Sequence, residues 1–320
     1  MPTSQKPIVV VGSINTDLVA GAARLPVAGE TVLGSSFQIH PGGKGANQAV
    51  AVSRLDYPVQ LIGKVGADQF GEQARSYLQS AGVDISGVEV DTGTSGVAMI
   101  AVSPHGDNSI IVVPGANARV SPGFIDAHLE MIRGAGIVLT QLEIPIDTVQ
   151  HLAEVCWREG IPLMLDPAPA QDLPLGILSR LQWFTPNETE AAFFAAASLD
   201  DGDSTQPAKV ADRLLAAGIQ GVVLKMGARG SYLASANGIA QLIPPYPVIA
   251  LDTTAAGDAF NGAFATALML DMQEASAAQF ASAAAAISVT RPGAQPSMPG
   301  RYEVMRLHAS QQPLLELHEP

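Results

Sequence analysis

The segment Asp252-Thr253-Thr254-Ala255-Ala256-Gly257-Asp258 runs straight into Ala259-Phe260-Asn261-Gly262, whose spacing continues as a helix. Small residues at such a start leave backbone N–H groups bare at a helix N-terminus, which is what an oxyanion or a migrating phosphoryl group requires. An aspartate in the same turn can take a proton from an attacking hydroxyl. The plainer role for Asp258 is to cap the helix. A cap, however, would tolerate Ser, Thr or Asn equally well, and it leaves the two alanines and the glycine before the aspartate unexplained.

Two further segments carry polar groups at positions suited to a polyhydroxylated ligand. Pro41-Gly42-Gly43-Lys44-Gly45-Ala46-Asn47-Gln48 sets paired glycines before a helix with Lys44 and Asn47 in its first turn, and bare backbone allows close approach of a ligand. A glycine turn followed by a solvated lysine is the alternative. Gly12-Ser13-Ile14-Asn15-Thr16-Asp17 follows an apolar run at its carboxyl end, where open α/β sheets bind ligands. Asn15 and Asp17, two apart, are placed to chelate vicinal hydroxyls, or alternatively to close an Asx turn.

Several other chemistries fail on residue identity. A Walker A loop needs a glycine five positions before Gly43, where Gln38 stands, and a Ser or Thr after Lys44, where Gly45 stands. A dinucleotide fingerprint lacks its third glycine, because Gly43-Lys44-Gly45 runs on to Gln48. His40, His105, His128, His151, His308 and His318 are scattered without metal-ligand spacing, and no GxSxG elbow occurs.

The elements that must position these groups follow from periodicity. Apolar runs at Ile8 to Gly12, Gln60 to Val65, Ile137 to Gln141, Leu163 to Asp166 and Val222 to Lys225 predict buried parallel strands. Between them, Gly45 to Leu55, Phe70 to Ser80, Ile146 to Arg158, Asn187 to Ala197 and Val210 to Ala217 have helical spacing, and the alternation indicates an α/β fold. Thr31 to His40 and Val97 to Val113, with a turn at Pro104-His105-Gly106-Asp107, read as a small appended sheet. Gly257 to Leu270 and Glu274 to Thr290 predict two close-packed alanine-rich helices. Ser198 to Gln206 and the tail from Ala309 to Pro320 read as mobile surface.

Composition agrees. The 320 residues are 47% hydrophobic, enough for a full core, with 17 basic against 30 acidic residues and a net charge of -13 that repels nucleic acid and anionic lipid. The one cysteine, Cys156, cannot form an internal disulfide, and the first residues carry no apolar signal core, so a cytoplasmic protein is expected. A mean hydropathy of +0.23 comes from short alanine-heavy stretches such as Phe280 to Val289 rather than from a membrane span.

Together with Asn187-Glu188-Thr189-Glu190 and Gly227-Ala228-Arg229-Gly230, the three motifs resemble the PfkB carbohydrate kinase family and, within it, the ribokinases. The likeness runs from about Ile8 to Pro299 and includes Gln141-Leu142-Glu143, Asp166-Pro167-Ala168-Pro169 and Thr290-Arg291-Pro292-Gly293-Ala294-Gln295-Pro296-Ser297. The resemblance implies a single ribokinase-like three-layer α/β/α domain over 1–320, with a mainly parallel central sheet and a small β lid built from 31–40 and 97–113.

It further implies ATP-dependent phosphorylation of D-ribose at the 5-hydroxyl. Asp258 would be the base, with Ala255, Ala256 and Gly257 as the anion hole. Asn15, Asp17, Gly43, Lys44, Asn47 and Glu143 match sugar-holding positions. Asn187 and Glu190 match an NxxE motif that orders Mg²⁺ and its waters, although Asn187 and Glu190 also have the spacing of a capping box. Lys225, Gly227, Arg229 and Gly230 match the nucleotide loop, and Gly257 and Ser282 also border the nucleotide; Ser282 replaces the histidine or asparagine common near adenine. Asp252, Thr254, Ser288, Arg291, Gly293 and Ser297 match a K⁺ site. The lid is expected to close over the sugar and to pair two copies into a homodimer. Kinases for deoxyribose, fructose, another pentose or a nucleoside are the neighbouring possibilities; Lys44, Asn47 and Glu143 favour ribose, and Phe37 alone offers adenosine an aromatic surface in the lid. A non-catalytic sugar sensor would need damage at Asp258, and none is seen.

Overall fold

The computed structural model describes residues 5–104, 107–196 and 206–310. The turn residues His105 and Gly106, nearly all of the acidic stretch Ser198 to Gln206, and the tail beyond Ser310 lie outside the described residues.

Short apolar segments with β-branched residues form the centre of the molecule because both of their faces are covered. The strands are β1 (Ile8–Val11), β2 (Asn15–Ala22), β3 (Gly34–Gly42), β4 (Val59–Gly66), β5 (Asp84–Asp91), β6 (Gly96–Val102), β7 (Asn108–Val113), β8 (Ile137–Thr140), β9 (Leu163–Leu165), β10 (Trp183–Phe184), β11 (Gly221–Lys225), β12 (Ser231–Ser235) and β13 (Ala240–Ile243). Nine of them make one sheet in the order β13-β12-β11-β10-β9-β8-β1-β4-β5. Pairing is parallel from β11 to β5, and β12 and β13 add an antiparallel end.

Alternation along these strands divides the interior into two cores. Ile8 and Val10 of β1 belong to one core and Val9 and Val11 to the other; Met164 of β9 and Val223 of β11 face the first, their neighbours Leu163, Leu165, Val222 and Leu224 the second. Helices α1 (Lys44–Arg54), α2 (Gln69–Ser80), α9 (Ala256–Met269), α10 (Glu274–Ser288) and α11 (Arg301–Ser310) cover the first face. Helices α3 (Pro122–Ala127), α4 (Leu129–Gly134), α5 (Ile146–Glu159), α6 (Leu175–Leu178), α7 (Glu188–Ala196) and α8 (Pro207–Ala216) cover the second. The result is the expected three-layer α/β/α arrangement, and the strands and helices read from periodicity lie within a few residues of their predicted positions. Among the described residues no helix is long and apolar enough to cross a membrane.

A second sheet, in the order β3-β2-β6-β7, stands apart from the first. Its strands β3, β6 and β7 match the two segments expected to form an appended sheet. Strand β2 does not match expectation: Asn15 and Asp17 lie on it, so they close no Asx turn. Its segment Asn-Thr-Asp-Leu-Val-Ala-Gly-Ala has little β propensity of its own. It is held by antiparallel pairing to β3 and parallel pairing to β6, a tertiary effect that local reading misses.

Sheet order reverses around β1, which follows no strand yet lies between β4 and β8. Crevices form at the carboxyl ends of strands where order reverses in this way. The turns after β1, β8, β9 and β11 therefore converge, and α1 and α9 bring their first turns to the same place.

The approach of α1 to α9 depends on Gly262, where a Cβ would lie 2.6 Å from Ala51 Cβ and 3.0 Å from the Gln48 carbonyl oxygen. Gly262→Ala must push the helices apart, and a cost of about 1–3 kcal/mol is expected from such overpacking. Chemical denaturation should show a lowered midpoint; an unchanged midpoint would mean that the two helices tolerate the methyl group.

Candidate active site

Two glycines seat the turn before α1 on the turn after β1. Gly43 has φ 89°, and a Cβ there would lie 2.6 Å from the Asn15 amide nitrogen, while a Cβ on Gly45 would meet the Ser13 nitrogen at 2.7 Å. This contact brings Lys44 and Asn47 beside Asn15 and Asp17. On β2 the last two point to the same face, because side chains two apart on a strand share a side.

Asn15 and Glu143 have fixed partners. Asn117, just after β7, donates from Nδ2 to Asn15 Oδ1 at 2.7 Å and accepts from the Ile14 N–H at 3.0 Å. Glu143 Oε2, in the turn after β8, accepts from the Lys44 N–H at 3.1 Å and from the Ser13 hydroxyl. Burial pushes the Asp17 carboxyl up to about 6, with the charges of Glu143 and Asp258 adding to the rise. For Lys44, burial works against the charged form, but Asp258, Asp166, Glu143 and Glu190 outweigh it and hold the ammonium above the usual lysine range.

Asp258 lies in the first turn of α9 and is buried, with 4% of its surface exposed. Asn47 Nδ2 donates to its Oδ2 at 2.9 Å and Gln48 Nε2 to its Oδ1 at 3.1 Å. Burial pushes this carboxyl up to about 6; Lys44, Asn47 and Gln48 oppose the rise and Asp166 adds to it. The helix start is unusual: Ala255, at the N-cap, has φ 58° and ψ 16°. A non-glycine residue in that left-handed region costs about 1–2 kcal/mol, and such strain concentrates at functional turns. The Ala256 N–H bonds to the Thr253 carbonyl at 3.2 Å, so it is not wholly bare as the sequence suggested. The N–H groups of Gly257 and Asp258 have no acceptor among the described residues, as first-turn donors should.

Beside α9, Lys225 ends β11 and donates to Asp166 Oδ1 at 3.0 Å. Its Nζ lies 3.2 Å from the point a Cβ on Gly257 would occupy, which places the ammonium against the helix start. Asn187 and Glu190 form the capping box that their spacing allowed. The Asn187 N–H donates to Glu190 Oε2 at 2.7 Å, Asn187 Nδ2 to Glu190 Oε1 at 2.8 Å, and the Glu190 N–H to Asn187 Oδ1 at 2.8 Å. Burial and the nearby Asp166 raise the Glu190 carboxyl, with Lys225 in opposition.

These groups line one cleft of about 650 Å³. Lys44, Asp166, Asn187, Glu190, Lys225 and Asp258 are on its polar side, and Gly227, Gly230 and Gly257 give bare backbone. Tyr246, Val248, Phe260, Ala285, Ala286 and Val289 form an apolar wall, with Ser282 among them. Arg229 bonds to Glu188 at the surface, so its charge is offset rather than presented to the cleft.

The loop carrying Asp252 lies next to this wall. Asp252 Oδ1 accepts from the Thr254 N–H at 2.9 Å and Oδ2 from the Gly293 N–H at 2.8 Å. Burial alone would raise this carboxyl, yet these bonds and the charge of His40 hold it below the usual range. The Arg291 guanidinium pairs with Glu303, Ser288 Oγ donates to the Ala285 carbonyl at 2.9 Å and Ser297 Oγ to the Ala294 carbonyl at 2.7 Å.

The structure therefore brings most of the expected residues together, some in a polar cluster at the start of β2 and others along the cleft beside α9, while Arg229 pairs with Glu188. It adds Ser13, Gln48, Asn117, Asp166 and Gln295, the last donating from Nε2 to Asn47 Oδ1 at 3.0 Å. Gln48 and Asp166 stand inside segments whose motifs were legible. Ser13 and Gln295 also stand inside such segments, whereas Asn117 is distant in the chain and carries no local signal.

Known proteins resemble this chain along nearly its whole length. The ribokinase of Bacillus subtilis is 42% identical over 302 residues, covering 94% of this chain and 98% of its own. The deoxyribokinase of Salmonella typhi is 36% identical over 294 residues, covering 91% and 95%. A structure of Arabidopsis thaliana ribokinase complexed with ribose and ATP superposes with a TM-score of 0.88 at 35% identity, covering 95% of this chain and 98% of that one. Residues 5–301 match the pfkB family of carbohydrate kinases, and the chain belongs to that family.

Proposed function

We propose that this protein phosphorylates D-ribose at its 5-hydroxyl with ATP, giving D-ribose 5-phosphate and ADP. The observation that carries this reading is Asp258: a buried carboxylate that lines the cleft, held by two amide donors and in the same helix turn as the Gly257 N–H, which has no acceptor among the described residues. Held there, Asp258 accepts the proton of the primary hydroxyl as that oxygen attacks the γ-phosphorus. The N–H groups around Gly257, with Ala255 and Ala256 shaping the turn, stabilise the charge on the transferring group. Asn15, Asp17, Lys44, Asn47 and Glu143 orient the sugar hydroxyls, a mixture of charged and amide groups with the bare backbone of Gly43 between them.

The cleft suits the nucleotide. Its apolar wall around Tyr246 accepts a flat base, while Lys225 and the glycines at 227 and 230 border the phosphates. Asn187 and Glu190 fit a hydrated Mg²⁺, because each carboxylate oxygen of Glu190 accepts one bond inside the capping box and keeps a lone pair for water. The ion, when bound, supplies charge neutralisation between the phosphates.

The donor set at Asp252 fits a monovalent cation. One carboxylate stands among Thr254, Ser288, Gly293 and Ser297, and Arg291, whose side chain is turned to Glu303, has only its carbonyl to offer. Such a site, beside the start of α9, would organise the anion hole without touching the sugar.

The small sheet serves as a lid and, through its outer face, as a dimer surface. Ile39, Leu18, Met99 and Ile111 lie in register across β3, β2, β6 and β7, opposite in direction to Asp17. Phe37 at 62% and Ile111 at 59% are among the more exposed large apolar residues of this face, which favours a second copy of the chain as its cover. Deoxyribose is the second reading, favoured by the deoxyribokinase relative.

ADP release from MgATP should be strongest with ribose among ribose, 2-deoxyribose, fructose and adenosine, and Asp258→Asn should lower turnover by about 10²- to 10⁴-fold. Faster turnover of another sugar would move the pocket assignment, and sugar binding without any ADP release would favour a sensor. Rates in potassium should exceed those in tetramethylammonium salts; equal rates would remove the cation site. Light scattering should give twice 33.1 kDa, and a value of 33.1 kDa would rule out the dimer.

A further inference from the structure

Gln48 stands between two buried carboxylates. Its Nε2 is 3.1 Å from Asp258 Oδ1 and 3.1 Å from Asp166 Oδ2, and its Oε1 accepts from Gln141 Nε2 at 2.8 Å. Ionised carboxylates only accept, so the amide has one sensible orientation, with one N–H for each. Asp166 in turn accepts from Lys225 through its other oxygen at 3.0 Å, and Lys225 borders Gly257. A continuous chain of hydrogen bonds therefore runs from Gln141 through Gln48 to the aspartate facing the sugar and, by the other branch, to the lysine facing the phosphates.

We propose that Gln48 is a positioning residue that ties Asp258 to the Asp166–Lys225 pair, fixing the base's orientation and setting its proton affinity from the phosphate side of the site. This rests on the reading of Asp258 as the base. Two buried like charges on one amide would otherwise repel. The amide gives each a donor, while Lys225 pairs with the one that does no proton transfer. Elsewhere on α1, the Asn47 amide is committed to the other oxygen of Asp258 and to Gln295, and Lys44 contributes charge but, among the described residues, no hydrogen bond to either carboxylate.

The charged groups facing Asp258 are Lys44 from α1, Asp166 after β9 and, further off, Asp17 from β2, Glu143 after β8, Glu190 from α7 and Lys225 from β11. A base must be ionised to act, so kcat/KM falls as pH drops through its pKa, near 6 for Asp258. Asp17, raised to about 6 as well, contributes to the same limb but has no bond to Gln48.

The two arms of the chain predict opposite shifts. Gln48→Met removes a donor to the ionised base, so the acid limb of kcat/KM should move to higher pH and kcat should fall roughly 10- to 100-fold through lost orientation. Asp166→Asn removes a neighbouring negative charge, so the limb should move to lower pH. The experiment is a pH profile of both variants beside the parent and Asp258→Asn, with thermal unfolding to confirm folded protein. A merely structural role for Gln48 would lower the rate without moving the limb. Limbs that coincide in both variants, with Asp258→Asn inactive, would overturn the link and leave the base in place. Parental turnover by Asp258→Asn would instead overturn the base itself. Should Gln48→Met fail to fold, Gln48→Asn, whose shorter amide cannot reach both carboxylates, decides instead: a limb at higher pH upholds the link, and an unmoved limb overturns it.

Discussion

Five carboxylates, Asp17, Glu143, Asp166, Glu190 and Asp258, crowd around two ammonium groups, Lys44 and Lys225, and most of the local structure follows from keeping them charged. Buried carboxylates without partners would bind protons and lose their chemistry. Four of them have donors instead: Ser13 and the Lys44 N–H for Glu143, Asn47 and Gln48 for Asp258, Lys225 and Gln48 for Asp166, Asn187 for Glu190; the Asp17 carboxylate has none among the described residues. Asp258 and Asp17, left with a net excess of burial and like charge, are the two that rise to about 6. On the function proposed above, those two face the sugar, where a carboxylate poised to exchange a proton is useful.

Supplying so many donors requires segments from the whole length of the chain to meet, and small residues make that possible. Gly43 and Gly45 let the start of α1 rest on the turn after β1, and Gly262 lets α9 close on α1. The alanine-rich faces of α9 and α10 serve the same end, since a short interaxial distance keeps the first turn of α9 within hydrogen-bond reach of Asn47 and Gln48. Packing and electrostatics thus meet in one requirement: the two helices that carry the base and its donors must be close, and only residues without bulk allow it.

Much of this was legible in the sequence, for reasons that differ by element. The parallel strands announce themselves as short apolar runs because both faces are buried, and α1 and α9 as glycine- and alanine-rich starts with one acidic or basic group each. Strand β2 was not legible: its polar first residues and small later ones look like a loop, and its pairing with β3 and β6 lies in tertiary structure. The same holds for the role of Gln48, whose motif was evident while its position between Asp166 and Asp258 was not, because 118 and 210 residues separate the partners. Asn117 and Gln295, which hold Asn15 and Asn47, belong to the same class.

A chain with a net charge of -13 must still attract an anionic nucleotide. Arg229, in the segment whose likeness implies a nucleotide loop, is paired with Glu188 at the surface. What remains at the cleft is Lys225, Lys44 and the positive end of α9, each held within a few ångströms of a carboxylate. Lys225 is anchored by Asp166 and therefore points at the helix start without needing to be ordered when the phosphates arrive. A fixed cation costs less conformational entropy at binding than a free one, and the buried setting strengthens its pull relative to exposed charges that salt would screen. On the proposed reading, the negative surface then acts mainly at long range, on encounter, while the few buried cations and bare N–H groups decide where the phosphates settle.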